Sequence, residues 1–172
     1  MPLCDTLLRM AQRGLYWPRW SAQILNEAQR NLVNDGRCSE ETAARRFGLI
    51  GKHFSEAEVT GYEHLVGGLT CHEGDRHVLA AAIRGRVDQI VTQNIRHFPD
   101  ESVDPYSIEV VTPDNFLLNA LDLYPRETAE IIKQQAADLR KPPLSVDDVL
   151  RALSDVAPNF SQQVETVLRA LG

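Results

Sequence analysis

No stretch of this 172-residue chain approaches the roughly 20 apolar residues needed to span a bilayer. Its start also lacks a basic segment followed by an apolar one, so neither a helical membrane span nor a secretory leader is expected. Cysteine is scarce: Cys4, Cys38 and Cys71 are far apart and odd in number, which argues against a disulfide framework and for a reducing, cytoplasmic setting. Basic charge is not in surplus either. With 18 Lys and Arg against 24 Asp and Glu the formal charge is −6, which argues against phosphate-backbone binding by net attraction. A nuclease is not excluded, because a metal site is itself a cluster of acids and draws in substrate through bound cations. There is no internal repeat and no low-complexity tract. His72, His77 and His97 fall in no recognisable zinc spacing and are expected to be satisfied polar or surface residues.

The chain does have enough apolar material to fold. Hydrophobic residues make up 43% and charged residues 24%, the balance of a globular domain, here one domain or one with a helical appendage. The basic residues clump early, from Arg9 to Lys52, and acids such as Asp100, Glu101, Asp104, Glu109 and Asp114 dominate a later stretch.

Asp75-Arg-His-Val-Leu-Ala-Ala-Ala82, followed by Val91-Thr-Gln-Asn94, is the most informative segment. It sets an acid at the mouth of a small-residue helix that leads into a short apolar strand ending on a polar residue. In open α/β sheets functional groups gather where strands end and helices begin, so Asp75 and Asn94 are placed to share a cleft.

Around this segment the periodicity predicts helices over 2–13, 21–34, 39–47 and 73–84. Ser21 is a credible N-cap, with Ile24, Leu25, Ala28 and Leu32 on the buried face. Gly85 should end the fourth helix. A short strand is possible near Glu58-Val59-Thr60. Gln89 to Thr92 fits a buried parallel strand, Ile108 to Val111 a second one, and Thr112-Pro113 opens the next helix. After Leu123 the pattern is helical only: 125–139, 146–153 and 159–171, joined through Lys141-Pro142-Pro143 and Ala157-Pro158. The apolar stripe of this tail, from Leu144 to Leu171, wants to pack on something. A helix-turn-helix in the tail is disfavoured by Asp147-Asp148 and sparse basic residues.

From Leu3 to about Leu118 the chain resembles PIN-domain proteins of the VapC toxin type, including the form with an additional helical C-terminal region. The resemblance is carried by Leu7-Leu8-Arg9-Met10-Ala11, by Trp20-Ser21 with Ile24-Leu25 and Glu27, by Asp75 to Ala82, by Ile90-Val91-Thr92-Gln93-Asn94, and by His97-Phe98-Pro99. It implies an α/β fold with a PIN-like parallel sheet covered by helices at 1–122 and an all-helical region at 123–172. It further implies an Mg²⁺- or Mn²⁺-dependent endoribonuclease acting on RNA and held silent by a cognate antitoxin, with homodimerisation as a further option.

Residue by residue, Glu27 matches the family's acid on the second helix, Asp75 the acid opening the central helix, and Asn94 the polar residue after the following strand. These three are the implied catalytic and metal-binding set. Ser21 and Arg76 are candidate substrate contacts, and Asp5 is a weak substitute acid. The family's first aspartate ends a first strand that would lie just upstream of Pro2-Leu3. Without it, Glu27, Asp75 and Asn94 carry two negative charges, and weak or absent activity is the expectation. A natural start further upstream, a degenerate homologue, and a replacement strand from elsewhere all remain open. The alternative function is a non-catalytic PIN-like protein that binds an antitoxin or dimerises.

Overall fold

The computed structural model describes residues 2–139 and 143–171. Its α-helices are α1 (Pro2–Gln12), α2 (Ala22–Asn34), α3 (Glu40–His53), α4 (Arg76–Gly85), α5 (Asp100–Val103), α6 (Pro113–Leu123), α7 (Pro125–Asp138), α8 (Val146–Ser154) and α9 (Pro158–Leu171). Strands β1 (Gln89–Val91) and β2 (Glu109–Val111) form a small parallel sheet. The expected α/β class with a helical C-terminal region is therefore the observed one. The chain divides into two compact units: 1–17, 91–93 and 111–172 form one, and 18–90 with 94–110 the other.

The first unit is a helical assembly around Met10, Leu117, Ile131, Ile132, Leu153 and Phe160. Its elements end where local chemistry dictates. Gly14, at φ +73°, takes the left-handed conformation that closes α1, and the Leu15 N–H returns to the Met10 carbonyl at 3.1 Å. Thr112 caps α6 by accepting from the Asn115 N–H, with Pro113 in the first turn. Ser145 and Asp148 form a reciprocal capping box at α8. Asp114, buried on α6, accepts from the Phe160 N–H at 2.9 Å and from Asn159 Nδ2 at 2.7 Å, so it serves the start of α9 from another helix. Thr6 Oγ1 lies 2.8 Å from Gln135 Oε1, and Gln135 Nε2 donates to the Pro2 carbonyl. That buried polar contact fastens α1 to α7. Tyr16 packs edge-to-face on Phe116, while its neighbour Trp17 is exposed.

The second unit gathers Tyr62, Leu69, Leu79, Ala80, Ala81, Ile90, Phe98 and Ile108. Ser21 caps α2 as expected, accepting from the Ile24 N–H at 3.3 Å. Ala28 is exposed, however, and within α2 only Leu32 is fully buried. Helix α3 runs on past Phe47 to His53. At Glu58 the strand tendency is satisfied by one isolated parallel bridge to Trp20. Helix α4 ends at Gly85 as expected, but not by the expected conformation. The left-handed residue is Arg86, at φ 52°, and Gly85 is instead needed for close approach: a Cβ there would meet Val59 Cγ2 at 3.0 Å.

Strand β1 is not the doubly buried strand its apolar run suggested. Only Ile90 is buried and Val91 is exposed, because in a two-stranded sheet each strand is an edge. In the tail, the junction at Lys141-Pro142 and the Leu171 side chain lie outside the described residues; the remaining stripe, with Val149, Leu150, Leu153, Phe160 and Val164, is buried.

Candidate functional site

The site-bearing residues of the second unit are set by two single-turn 3-10 helices, Glu73–Asp75 and Ile95–His97, and by the start of α4. Each turn hangs from a buried anchor. Cys71 precedes His72, and Phe98 follows His97; both anchors are 3% exposed. A backbone bond from the His72 N–H to the His97 carbonyl, 2.9 Å, ties the two turns together.

Asp75 stands at the N-cap position of α4, yet its side chain makes no capping bond. Its carboxylate is turned to two imidazoles. His97 Nδ1 lies 2.8 Å from Asp75 Oδ2, and His72 Nδ1 lies 3.3 Å from the same oxygen. The two rings stack with centroids 4.2 Å apart and planes 16° apart. The three ligand atoms lie within 4.8 Å of one another. Asp75 also acts at a distance on Cys71: burial first, and the Asp75 charge second, push that thiol's pKa up, so it stays protonated.

Glu27 projects from α2 toward the first turn of α4. Its Oε2 is 3.1 Å from His77 Nε2, two residues beyond Asp75. The approach is close enough for an ion pair but lies off the direction of a hydrogen bond, and His77 Nε2 is left buried without a hydrogen-bond partner. Gln23 donates to the other Glu27 oxygen at 3.2 Å, and Arg30 stands 3.9 Å away. Arg76 is half-buried, with its Nε enclosed and without a hydrogen-bond partner. Ser21 is buried and its Oγ serves the α2 cap. Asn94 is exposed at the start of the second 3-10 turn, where its carbonyl accepts from the His97 N–H at 2.9 Å.

Thus the structure joins Asp75 to His72 and His97, and Glu27 to His77. The histidines are the residues that spacing arguments missed. His72 and His97 are 25 positions apart, and no helical or strand period links them. Their sequence signal is proximity to the recognised motifs: His97 opens His97-Phe98-Pro99, and His72 stands three positions before Asp75. Asp5, in the first unit, is bonded to Arg9 at 3.1 Å and belongs to a surface ion pair that also includes Asp138.

Among the described residues, no helix is long and apolar enough to cross a membrane. Cys4, Cys38 and Cys71 are all free thiols.

Residues 113–166 match the VapC50 C-terminal domain family. The boundaries span α6 to most of α9, the helices that build the core of the first unit. No solved structure matches this chain. Over 165 residues, 94% of this chain and 86% of the relative's length, the sequence is 43% identical to a Mycobacterium tuberculosis (strain ATCC 25618 / H37Rv) protein named "Putative ribonuclease VapC50". The match takes in both units, the Asp75 turn and the helical tail together. The chain belongs to the VapC50 family.

Proposed function

We propose that this protein is the metal-dependent endoribonuclease of a toxin–antitoxin pair, built on a PIN-like domain, cytoplasmic, and hydrolysing RNA phosphodiesters. The observation that carries the reading is the 43% identity, across nearly the whole chain, to a relative named as a ribonuclease. Glu27, Asp75 and Asn94 are the residues assigned to the chemistry. Two of them are carboxylates on or beside the first turn of α4, and Asp75 is released from any capping duty.

The donor set fits a divalent cation. Hard oxygens from Glu27, Asp75 and the Asn94 amide suit Mg²⁺ or Mn²⁺, although two negative charges hold such an ion weakly without help from substrate phosphate. When bound, the ion supplies charge stabilisation for the phosphoryl group and an activated water. The chain's own residues do the rest. Asp75 and Glu27 accept hydrogen bonds and orient the attacking water. Arg76, with a buried unpartnered Nε, is a candidate contact for a phosphate oxygen. His77 keeps Glu27 turned toward α4. The Ser21 hydroxyl, bound to its helix cap, holds α2 in register. The antitoxin is the expected protein partner.

The test is cleavage of a structured RNA by the purified full chain with Mg²⁺ or Mn²⁺. Asp75→Asn and Glu27→Gln should each lower the rate at least about 100-fold, and Asn94→Ala by a smaller factor. Cleavage should be slow, because two carboxylates hold the ion weakly, and a folded chain that shows none even at millimolar Mn²⁺ would reject the assignment. So would cleavage that survives Asp75→Asn.

A further inference from the structure

We propose that His72, Asp75 and His97 form a nitrogen-rich binding site for a borderline divalent transition ion of the Zn²⁺ and Co²⁺ class, distinct in its donors from the oxygen set assigned to RNA cleavage. The site shares Asp75 with the ribonuclease reading, but it stands or falls without it.

Convergence is the first argument. Nδ1 of both histidines and one Asp75 oxygen all lie within 4.8 Å of one another, so small side-chain rotations bring them to the roughly 2.0–2.2 Å that Zn²⁺ takes to imidazole and carboxylate. The second is preorganisation. The two turns bearing the ligands are pinned by the His72–His97 backbone bond and by the buried Cys71 and Phe98, so the backbone has little freedom left to lose when an ion arrives. The rings, stacked with planes 16° apart, need only turn out of the stack for both Nδ1 lone pairs to meet one ion.

The third argument is donor type. His97 Nδ1 lies 2.8 Å and His72 Nδ1 3.3 Å from the same Asp75 oxygen, so both imidazoles turn the same ring nitrogen toward the carboxylate.

Two imidazoles and one carboxylate suit Zn²⁺ and Co²⁺ better than Mg²⁺, which keeps to oxygen and several waters. The His72 side chain is 56% exposed and Asp75 27%, which leaves an open approach and room for a water ligand.

The experiment uses the full, tag-free chain without RNA, titrated with Co²⁺ and read by visible d–d absorption, with Zn²⁺ as competitor. One equivalent of Co²⁺ should produce a band that Zn²⁺ abolishes. His97→Ala and His72→Ala should each weaken binding at least about 10-fold, and excess Mg²⁺ should not displace the band. Circular dichroism of each variant checks the fold. Should His97→Ala unfold, the exposed His72 position carries the test alone, with His72→Gln as a hydrogen-bonding control.

An intact band in His72→Ala, or no binding by the wild-type chain below millimolar Co²⁺, would mean a hydrogen-bonded cluster only and would overturn the site. A Co²⁺ band in a wild-type chain that cleaves no RNA separates the two readings in one direction. Cleavage without any Co²⁺ binding separates them in the other.

Discussion

The two units of the molecule treat buried polarity in opposite ways. In the helical unit, buried Thr6, Asp114, Thr128, Gln135 and Ser161 all make hydrogen bonds, most of them to backbone groups of another helix or of the preceding turn. In the second unit, Trp20 Nε1, Arg76 Nε and His77 Nε2 are enclosed without a hydrogen-bond partner; among the described residues, every such atom falls here. An enclosed unpaired group costs on the order of 1–3 kcal/mol. Two of the three lie beside the candidate site: Arg76 directly follows Asp75, and His77 Nε2 faces Glu27 Oε2 at 3.1 Å without hydrogen-bond geometry. Unsatisfied polarity of this kind marks where a protein holds back interactions for something that is not part of its own fold.

The comparison breaks most visibly in the core of the helical unit. Phe160 is fully buried, and Phe160→Ala should cost about 3–5 kcal/mol, read as a fall in the denaturant midpoint at unchanged slope. A loss below about 1 kcal/mol would mean that this core is not as tightly filled as its burial implies.

Asp114→Ala comes next. It strips the Phe160 N–H and Asn159 of their acceptor, and a loss of roughly 1–3 kcal/mol is expected, because a buried donor is left unpaired. Asp114→Asn should recover part of that loss by retaining one oxygen acceptor.

The second unit should answer in the opposite sense. Glu27→Gln should change stability by less than about 1 kcal/mol, since its neighbours are an off-line imidazole, a glutamine and an arginine at 3.9 Å. Under the proposed function its effect falls on RNA cleavage. Urea unfolding of this variant beside its cleavage rate sharpens the contrast, and a large stability loss would place Glu27 among the structural residues.

The smallest effect is set by pH. Bonds from the Ser145 hydroxyl and N–H, with Arg151 adding to them, hold the Asp148 carboxyl below the ordinary aspartate range. A folded-state pKa below the unfolded one contributes stability that is present above the unfolded value. It is lost as pH falls through the lower, folded value. Acid titration followed by helical circular dichroism should therefore show α8 loosening at a lower pH in the wild-type chain than in Ser145→Ala.

Much of this architecture was legible in the sequence, and the reason is local. Ser21, Thr112 and Ser145 announce their helices because a cap acts within three residues, and β1 and β2 fall close to where apolar runs placed them. Gly85 does close α4, but the need for glycine there comes from contact with Val59, not from backbone reversal, and close approach leaves no local signature. The site was half legible. Asp75 and Glu27 were found through motif resemblance, whereas His72 and His97 meet only when two 3-10 turns are tied by a backbone bond across 25 residues. Asp114 escaped for the same reason: its partners lie 45 and 46 positions away.

The Thr6–Gln135 contact has a consequence for how the chain emerges from the ribosome. At about 5–20 residues per second, α1 waits roughly 6–25 s between leaving the exit tunnel and meeting α7. Through that interval Met10 and its neighbours lack the helices that cover them, while residues 18–110 already hold every segment of the unit bearing Asp75. Nascent chains arrested before α7 should therefore carry the complete Asp75-bearing unit while the first helix is still unburied, a natural grip for a holding chaperone.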